Sequence, residues 1–147
     1  MSGAETLIPF LKNKEKGEKP IIIVDSREAK TAPKIVKGLK ELGAEILAFQ
    51  SNSEGALIDF IQAKTPQAAG IIINPGALTH YGLSLRDALE DSTLPIIEVH
   101  LSDIHTREEW RHKSVIVPIA QKQITGKGIQ GYIDALEILV TISKESR

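Results

Sequence analysis

Glu98 and His100 stand two residues apart in the run PIIEVH, Pro95 to His100. On a β-strand, positions i and i+2 point to the same face, so the carboxylate lies beside the imidazole. It orients the ring and favours its protonated form. A histidine held in this way is a general acid near neutral pH. The other reading is a structural His–Glu pair at a strand end, and the pair alone does not choose between them. Asn74, Thr79 and His80 follow a second apolar run, Ile71 to Ile73. Leu101, Ser102 and Asp103 follow His100, and Arg27 and Glu28 follow a third run, Ile21 to Val24. Arg111 sits in the charged segment from His105 to Lys113 and offers a planar guanidinium to a hydroxyl or carboxylate.

Other arrangements point away from chemistry. His105 and His112 lie among Arg107, Glu108, Glu109 and Arg111 and read as a solvated face. The spacing of His100, His105 and His112 matches neither HExxH nor a zinc finger, so no metal site is expected. Gly126, Gly128 and Gly131 spell G-x-G-x-x-G, but after the last strand and with too little chain beyond for a ribose-binding acid. They read as a tight turn with close helix packing. There is no G-x-S-x-G elbow and no P-loop.

The elements that must position these residues follow from apolar patterning. Strands are expected at Ile21–Val24, Ala44–Phe49, Ile71–Ile73, Pro95–Val99 and Val115–Val117. Ile35, Val36, Leu39 and Leu42 repeat at helical spacing, with Gly43 where a left-handed cap belongs. Ser53 is placed to cap a helix carrying Leu57, Ile58, Phe60 and Ile61. A helix from about Ser84 to Leu89 follows the third strand. Gly128 opens the last helix, with an apolar face of Ile129, Ile133, Leu136, Ile138, Leu139 and Ile142. Strands alternating with helices give an α/β chain with a parallel sheet covered on both faces. Five strands suggest a flavodoxin-like three-layer sandwich of order 2-1-3-4-5. Ligands in such sheets sit beyond the carboxyl ends of the strands, and all the polar clusters above fall there.

At 147 residues with a net charge of −1, the chain fits one domain at residues 20–147 behind a polar extension at 1–19. The charge balance argues against nucleic acid or an anionic membrane surface as partner. No apolar run approaches membrane length, and Leu7–Leu11 is too short for a signal core. The absence of cysteine removes thiolate chemistry and fits a reducing compartment, so a cytoplasmic location is expected.

Four stretches carry a family resemblance: FQSNSEGALIDFI (Phe49–Ile61), IIINPGALTH…LRDAL (Ile71–Leu89), EVHLSDIHTREEWRHKS (Glu98–Ser114) and GKGIQGYIDAL (Gly126–Leu136). In order and spacing they resemble the type II 3-dehydroquinate dehydratases. The resemblance implies a flavodoxin-like subunit in a homo-oligomer, a dodecamer of trimers. It implies loss of water from 3-dehydroquinate to give 3-dehydroshikimate, in the shikimate pathway or quinate catabolism, through an enolate and without metal or cofactor. By position, His100 matches the acid and Asn74 the asparagine that binds ring hydroxyls and positions it. His80 and Arg111 match hydroxyl contacts, and Leu101 and Ser102 match the carboxylate-binding segment. Asp87 matches an aspartate that reaches a neighbouring subunit's site. Asp103 stands where the family usually has asparagine.

The first strand departs from the family pattern. The family's NGPNLNLLGxREPxxYG loop supplies an enolate-binding asparagine, an arginine and a tyrosine base; here the chain reads IIIVDSREAKTAPKIV. Arg27–Glu28 is the segment that can be matched to the arginine–glutamate pair, and the asparagine and tyrosine have no counterpart. Tyr81 is a candidate replacement phenol, with Asp25 and Glu28 as candidate carboxylate bases. Three readings therefore stand: an active hydro-lyase with a rebuilt first loop, an inactive family-fold scaffold subunit, and a module that binds quinate-like ligands without chemistry.

Overall fold

Three isoleucine-rich strands sit side by side at the centre of the molecule, each long enough to be buried on both faces. The computed structural model describes residues 19–26, 32–41 and 43–145. The strands are β1 (Ile21–Asp25), β2 (Ile46–Gln50), β3 (Gly70–Asn74), β4 (Ile96–His100) and β5 (Lys122–Thr125), and the helices are α1 (Ala32–Glu41), α2 (Glu54–Lys64), α3 (Leu83–Asp91) and α4 (Gln130–Glu145). All strand pairs are parallel, in the order β2-β1-β3-β4-β5. This is the flavodoxin-like order expected from the sequence.

Strand alternation divides the core in two. Ile21, Ile23, Ile72, Ile97 and Val99 face α1 and α4, where Ile35, Leu39, Tyr132, Leu136 and Leu139 meet them. Ile22, Val24, Ile71, Ile73 and Ile96 face α2 and α3, where Leu57, Ile61, Leu85 and Leu89 complete the second layer. Each such fully buried side chain contributes about 1.5–3 kcal/mol. Ser53 caps α2 as expected, its hydroxyl accepting from the Ala56 N–H. Gly43 turns with φ +96 after α1. The packing of α4 is close: a Cβ on Gly131 would lie 3.2 Å from Val99 Cγ1 and 3.3 Å from Ile124 Cγ2. The glycines at 126, 128 and 131 thus form a turn and a helix contact, as read from their place in the chain.

Two expectations are corrected. The fifth strand is Lys122–Thr125, not Val115–Val117. The N–H groups of Ile116 and Val117 are taken by the Ser114 hydroxyl at 3.0 and 3.1 Å, and Pro118 has none to give to a ladder. Val117–Ile119 forms a 3₁₀ turn instead, and Ile116 plugs the α2/α3 layer. The true edge strand buries only Ile124, so its apolar signal is one residue wide. Ile129 is 47% exposed, because α4 begins one residue later and the inward stripe runs through Tyr132, Ala135, Leu136 and Leu139. Residues 1–18, Arg27, Glu28 and Leu42 lie outside the described residues.

Candidate active site

The strand register brings the polar ends together. Asp25 pairs with Asn74 across β1 and β3, Ile73 with Glu98 across β3 and β4, and Glu98 with Gln123 across β4 and β5. The order reverses between β1 and β3, the switch point where such sheets bind ligands. A cavity of about 140 Å³ opens there, and Asn74, His80, His100, Leu101, Ser102 and Arg111 all line it. Residues from three separate sequence segments, 74–80, 100–104 and 107–111, thus share one wall.

His100 and Glu98 are both buried, and His100 Nε2 lies 2.5 Å from Glu98 Oε2. Glu98 is fully buried yet surrounded by donors. Thr79 Oγ1 donates to Oε2 at 2.5 Å, Ser114 Oγ donates to Oε1 at 2.8 Å, and Gln123 Nε2 donates to Oε2 at 3.0 Å. Burial pushes the Glu98 carboxyl up, but hydrogen bonds from His100, Thr79 and Gln123 and the charge on His100 outweigh it and hold the group below the ordinary glutamate value. An ionised Glu98 accepts the Nε2–H proton and leaves Nδ1 as the ring nitrogen available for proton transfer.

The other walls are fixed with equal economy. Asn74 Oδ1 accepts the Gly76 N–H at 3.1 Å, which bends the Asn-Pro-Gly turn around the cavity. His80 Nδ1 donates to the Lys113 carbonyl at 2.7 Å, so Nε2 is its remaining nitrogen. The His80 ring also meets Trp110 edge-on at 5.3 Å. Arg111 stacks 4.1 Å above Trp110, and its Nε donates to Glu108 Oε2 at 2.6 Å. Arg107 adds a second guanidinium. Among the described residues no carboxylate lines this cavity, while imidazoles, guanidiniums and an amide do. Such a wall favours an anionic, hydroxyl-bearing ligand.

A second lobe of about 270 Å³ adjoins the first through Ala77 and Arg111 and is lined also by Ser26, Asn52 and Tyr81. The Ser26 hydroxyl is buried there and has no hydrogen-bond partner among the described residues. Larger grooves beside β2, about 850 Å³, and β5, about 740 Å³, have neither imidazole nor guanidinium among their described lining residues and set carboxylates beside their lysines.

The structure therefore brings together His100, Glu98, Asn74, His80, Leu101, Ser102 and Arg111. It leaves Asp87 exposed on α3, outside the lining of either lobe. Tyr81 is 63% exposed and lines only the second lobe: the 3₁₀ turn Gly76–His80 ends with His80 turned inward and Tyr81 outward. Asp25 is buried at the end of β1, where Tyr132 donates to it at 3.3 Å. His105 and His112 are exposed, as expected. Asp103 caps a 3₁₀ turn by accepting the His105 N–H. Sequence reasoning missed Ser114 and Gln123. The signal for Gln123 was its register beside Glu98, visible only once β5 is correctly placed.

Comparison with known proteins gives a consistent picture. The family model described as "Dehydroquinase class II" matches residues 19–140. A 3-dehydroquinate dehydratase of Lachnospira eligens is 46% identical over 138 residues, covering 92% of this chain and 91% of the relative. One from Halothermothrix orenii is 53% identical over 111 residues, 76% of this chain and 75% of the relative. The crystal structure of a type II dehydroquinase from Butyrivibrio crossotus is similar with a TM-score of 0.76 at 36% identity, over 84% of this chain and 99% of that one.

Proposed function

The chain belongs to the class II dehydroquinase family, and from that premise we propose that it removes water from 3-dehydroquinate to give 3-dehydroshikimate. The observation that carries the proposal is the single cavity shared by Asn74, His80, His100, Ser102 and Arg111, with an ionised, fully buried Glu98 behind His100. The substrate carboxylate lies against the Leu101–Ser102 segment, and its ring hydroxyls meet Asn74, His80 Nε2 and Arg111. A base takes the proton next to the ketone and an enolate forms. The enolate expels the hydroxyl as His100 delivers its proton, so water leaves and the ring gains a conjugated double bond. The base belongs on the second-lobe side, where Tyr81, exposed at the rim, is the candidate phenol among the described lining residues. Enolisation and proton transfer of this kind need neither metal nor cofactor.

Growth of the enone ultraviolet absorbance with purified protein and 3-dehydroquinate tests this reading. Turnover that is lost in His100→Ala supports it; no turnover at any pH sinks it.

A second reading, a ligand-binding module without chemistry, is favoured by one observation. Among the described residues no carboxylate or phenol lines the lobe that holds His100. Calorimetric binding of quinate without product would select it. The exposed Asp87 and the 61% exposed Leu83, one turn apart on α3, support assembly into a homo-oligomer. A monomer mass in gel filtration would remove both that assembly and the inactive-scaffold alternative. A cytoplasmic location accords with this chemistry; among the described residues no helix is long and apolar enough to cross a membrane.

A further inference from the structure

We propose that Gln123 is a positioning residue for the acid His100, acting through Glu98; the inference rests on the dehydratase reading for its kinetic arm only. Gln123 lies on the edge strand β5, in register with Glu98 on β4. Side chains of registered neighbours in a parallel pair share a face, so the amide and the carboxylate meet at 3.0 Å, with Nε2 donating to Oε2. An edge-strand glutamine has water within reach on its open side and no need of a buried partner. Here the chain spends it on the one buried carboxylate behind the acid.

The amide is also held at its other end. His105 Nε2 donates to Gln123 Oε1 at 3.2 Å. A primary amide is nearly symmetric in shape but not in polarity, and only its NH₂ end is compatible with an ionised carboxylate. The Glu98 carboxylate, which only accepts, selects the orientation that presents that end inward, and His105 donates to the oxygen left on the outer side. Gln123 thus bridges the exposed rim to the buried Glu98 and holds it as one of four donors.

Those donors have different secondary duties. Ser114 also holds the Ile116 and Val117 backbones, and Thr79 contacts Ser114 at 2.8 Å, so both serve the loop as well as Glu98. Gln123 serves Glu98 and His105. A carboxylate has about four lone-pair directions, and with Ser114 on Oε1 and Thr79, His100 and Gln123 on Oε2 the crowded oxygen is the one that bonds the imidazole. Gln123 therefore sets the place of Oε2, and through it the plane of the His100 ring and the direction of Nδ1. Gln123 lines the outer groove beside β5 and not the ligand cavity. Its loss changes the acid's geometry without removing a substrate contact.

Gln123→Leu removes the donor at nearly constant size, and Gln123→Glu sets a second carboxylate against Glu98, so that the two share a proton. Three measurements are made on the full chain: kcat and KM with 3-dehydroquinate, the pH profile of kcat, and the nitrogen-15 and Nε2-bound proton resonances of His100. In Gln123→Leu, kcat falls roughly 10- to 100-fold, the range for a slightly misplaced catalytic group, and KM stays within about twofold, the mark of a contact outside substrate binding. Gln123→Glu displaces the pH profile, and both variants displace the His100 resonances. Unchanged kinetics with unchanged His100 resonances in both variants overturn the proposal. The resonances need no turnover: if the parent protein is inactive, their displacement upholds the positioning role while the dehydratase reading falls, and their constancy overturns both. Should Gln123→Leu fail to fold, Gln123→Glu keeps the side chain's length and polarity at the strand edge and decides alone.

Discussion

His80 and Lys113 are joined by a hydrogen bond from the imidazole Nδ1 to the main-chain carbonyl, 2.7 Å long. A carbonyl only accepts, so the proton is on Nδ1 and the cavity faces Nε2. The bond ties the loop after β3 to the loop before Ser114, and the Val115 N–H donates to the Thr79 carbonyl at 2.7 Å beside it. One face of the ring is thus structural and the other is left for ligand. His80→Asn keeps a donor near the Nδ1 position and deletes Nε2. It is expected to preserve the thermal midpoint and to raise KM or the quinate dissociation constant about tenfold, the equivalent of one lost hydrogen bond of about 1.4 kcal/mol. His80→Gln places its amide near Nε2 and loses the loop bond, so it is expected to lower the midpoint more and ligand affinity less. Denaturation curves beside calorimetric titrations check the contrast; equal effects on both quantities in the two variants contradict it.

Glu98 gives the fold a pH dependence of definite sign. Its carboxyl lies below the ordinary glutamate value of 4.5, so the folded state holds the charged form more tightly than the unfolded chain does. That stability is fully present above the unfolded value and is lost as pH falls through the folded one. Urea unfolding from pH 7 down to pH 3 is expected to show falling stability below about 4.5, with the slope reduced in Glu98→Gln. At pH 7 the same variant is expected to cost about 1–3 kcal/mol, because its amide can accept at only one end and leaves buried donors facing its NH₂. An identical acid slope in parent and variant means that Glu98 is not the group responsible.

What the sequence disclosed divides along a physical line. Ile21–Val24, Ile71–Ile73 and Pro95–Val99 announced themselves because central parallel strands are apolar on both faces. The Glu98–His100 pair was legible because the strand period alone puts the two side chains together. Lys122–Thr125 was hidden because an edge strand with only Ile124 buried has no such run. The donors to Glu98 come from 16, 19 and 25 residues away, distances that only tertiary structure closes. Tyr81 stands at the end of a short 3₁₀ turn, where neither the helical nor the strand period fixes a direction, and its exposure had no sequence signal.

The Ser26 hydroxyl is buried beside the second lobe with no hydrogen-bond partner among the described residues. A buried hydroxyl that has surrendered water without replacement is a net cost, of about 1–3 kcal/mol by comparison with mutational series. Ser26→Ala is therefore expected to raise stability, by roughly 1 kcal/mol after the loss of packing around the oxygen. Chemical denaturation measures it. A destabilised Ser26→Ala would mean that the hydroxyl has a partner in solution.

Gly131 separates the two readings of the G-x-G-x-x-G letters. A phosphate-binding turn needs the glycines for backbone approach to a ligand, whereas here the added Cβ would meet Val99 and Ile124 at 3.2 and 3.3 Å. Both neighbours are packed in the layer between α4 and the sheet, so neither yields freely. Gly131→Ala is expected to force α4 off β4 and to cost about 1–3 kcal/mol, the usual range for overpacking a close contact, partly offset by the better helix propensity of alanine. Ligand affinity at the Asn74–His100 cavity is expected to change little, since Gly131 touches the opposite face of the sheet from Glu98. Unfolding midpoints and quinate calorimetry on the same preparation measure both effects. Unchanged stability would show that α4 has slack that its packing denies, and binding of a dinucleotide by the parent protein, lost in Gly131→Ala, would restore the reading that the position of the motif after the last strand excludes.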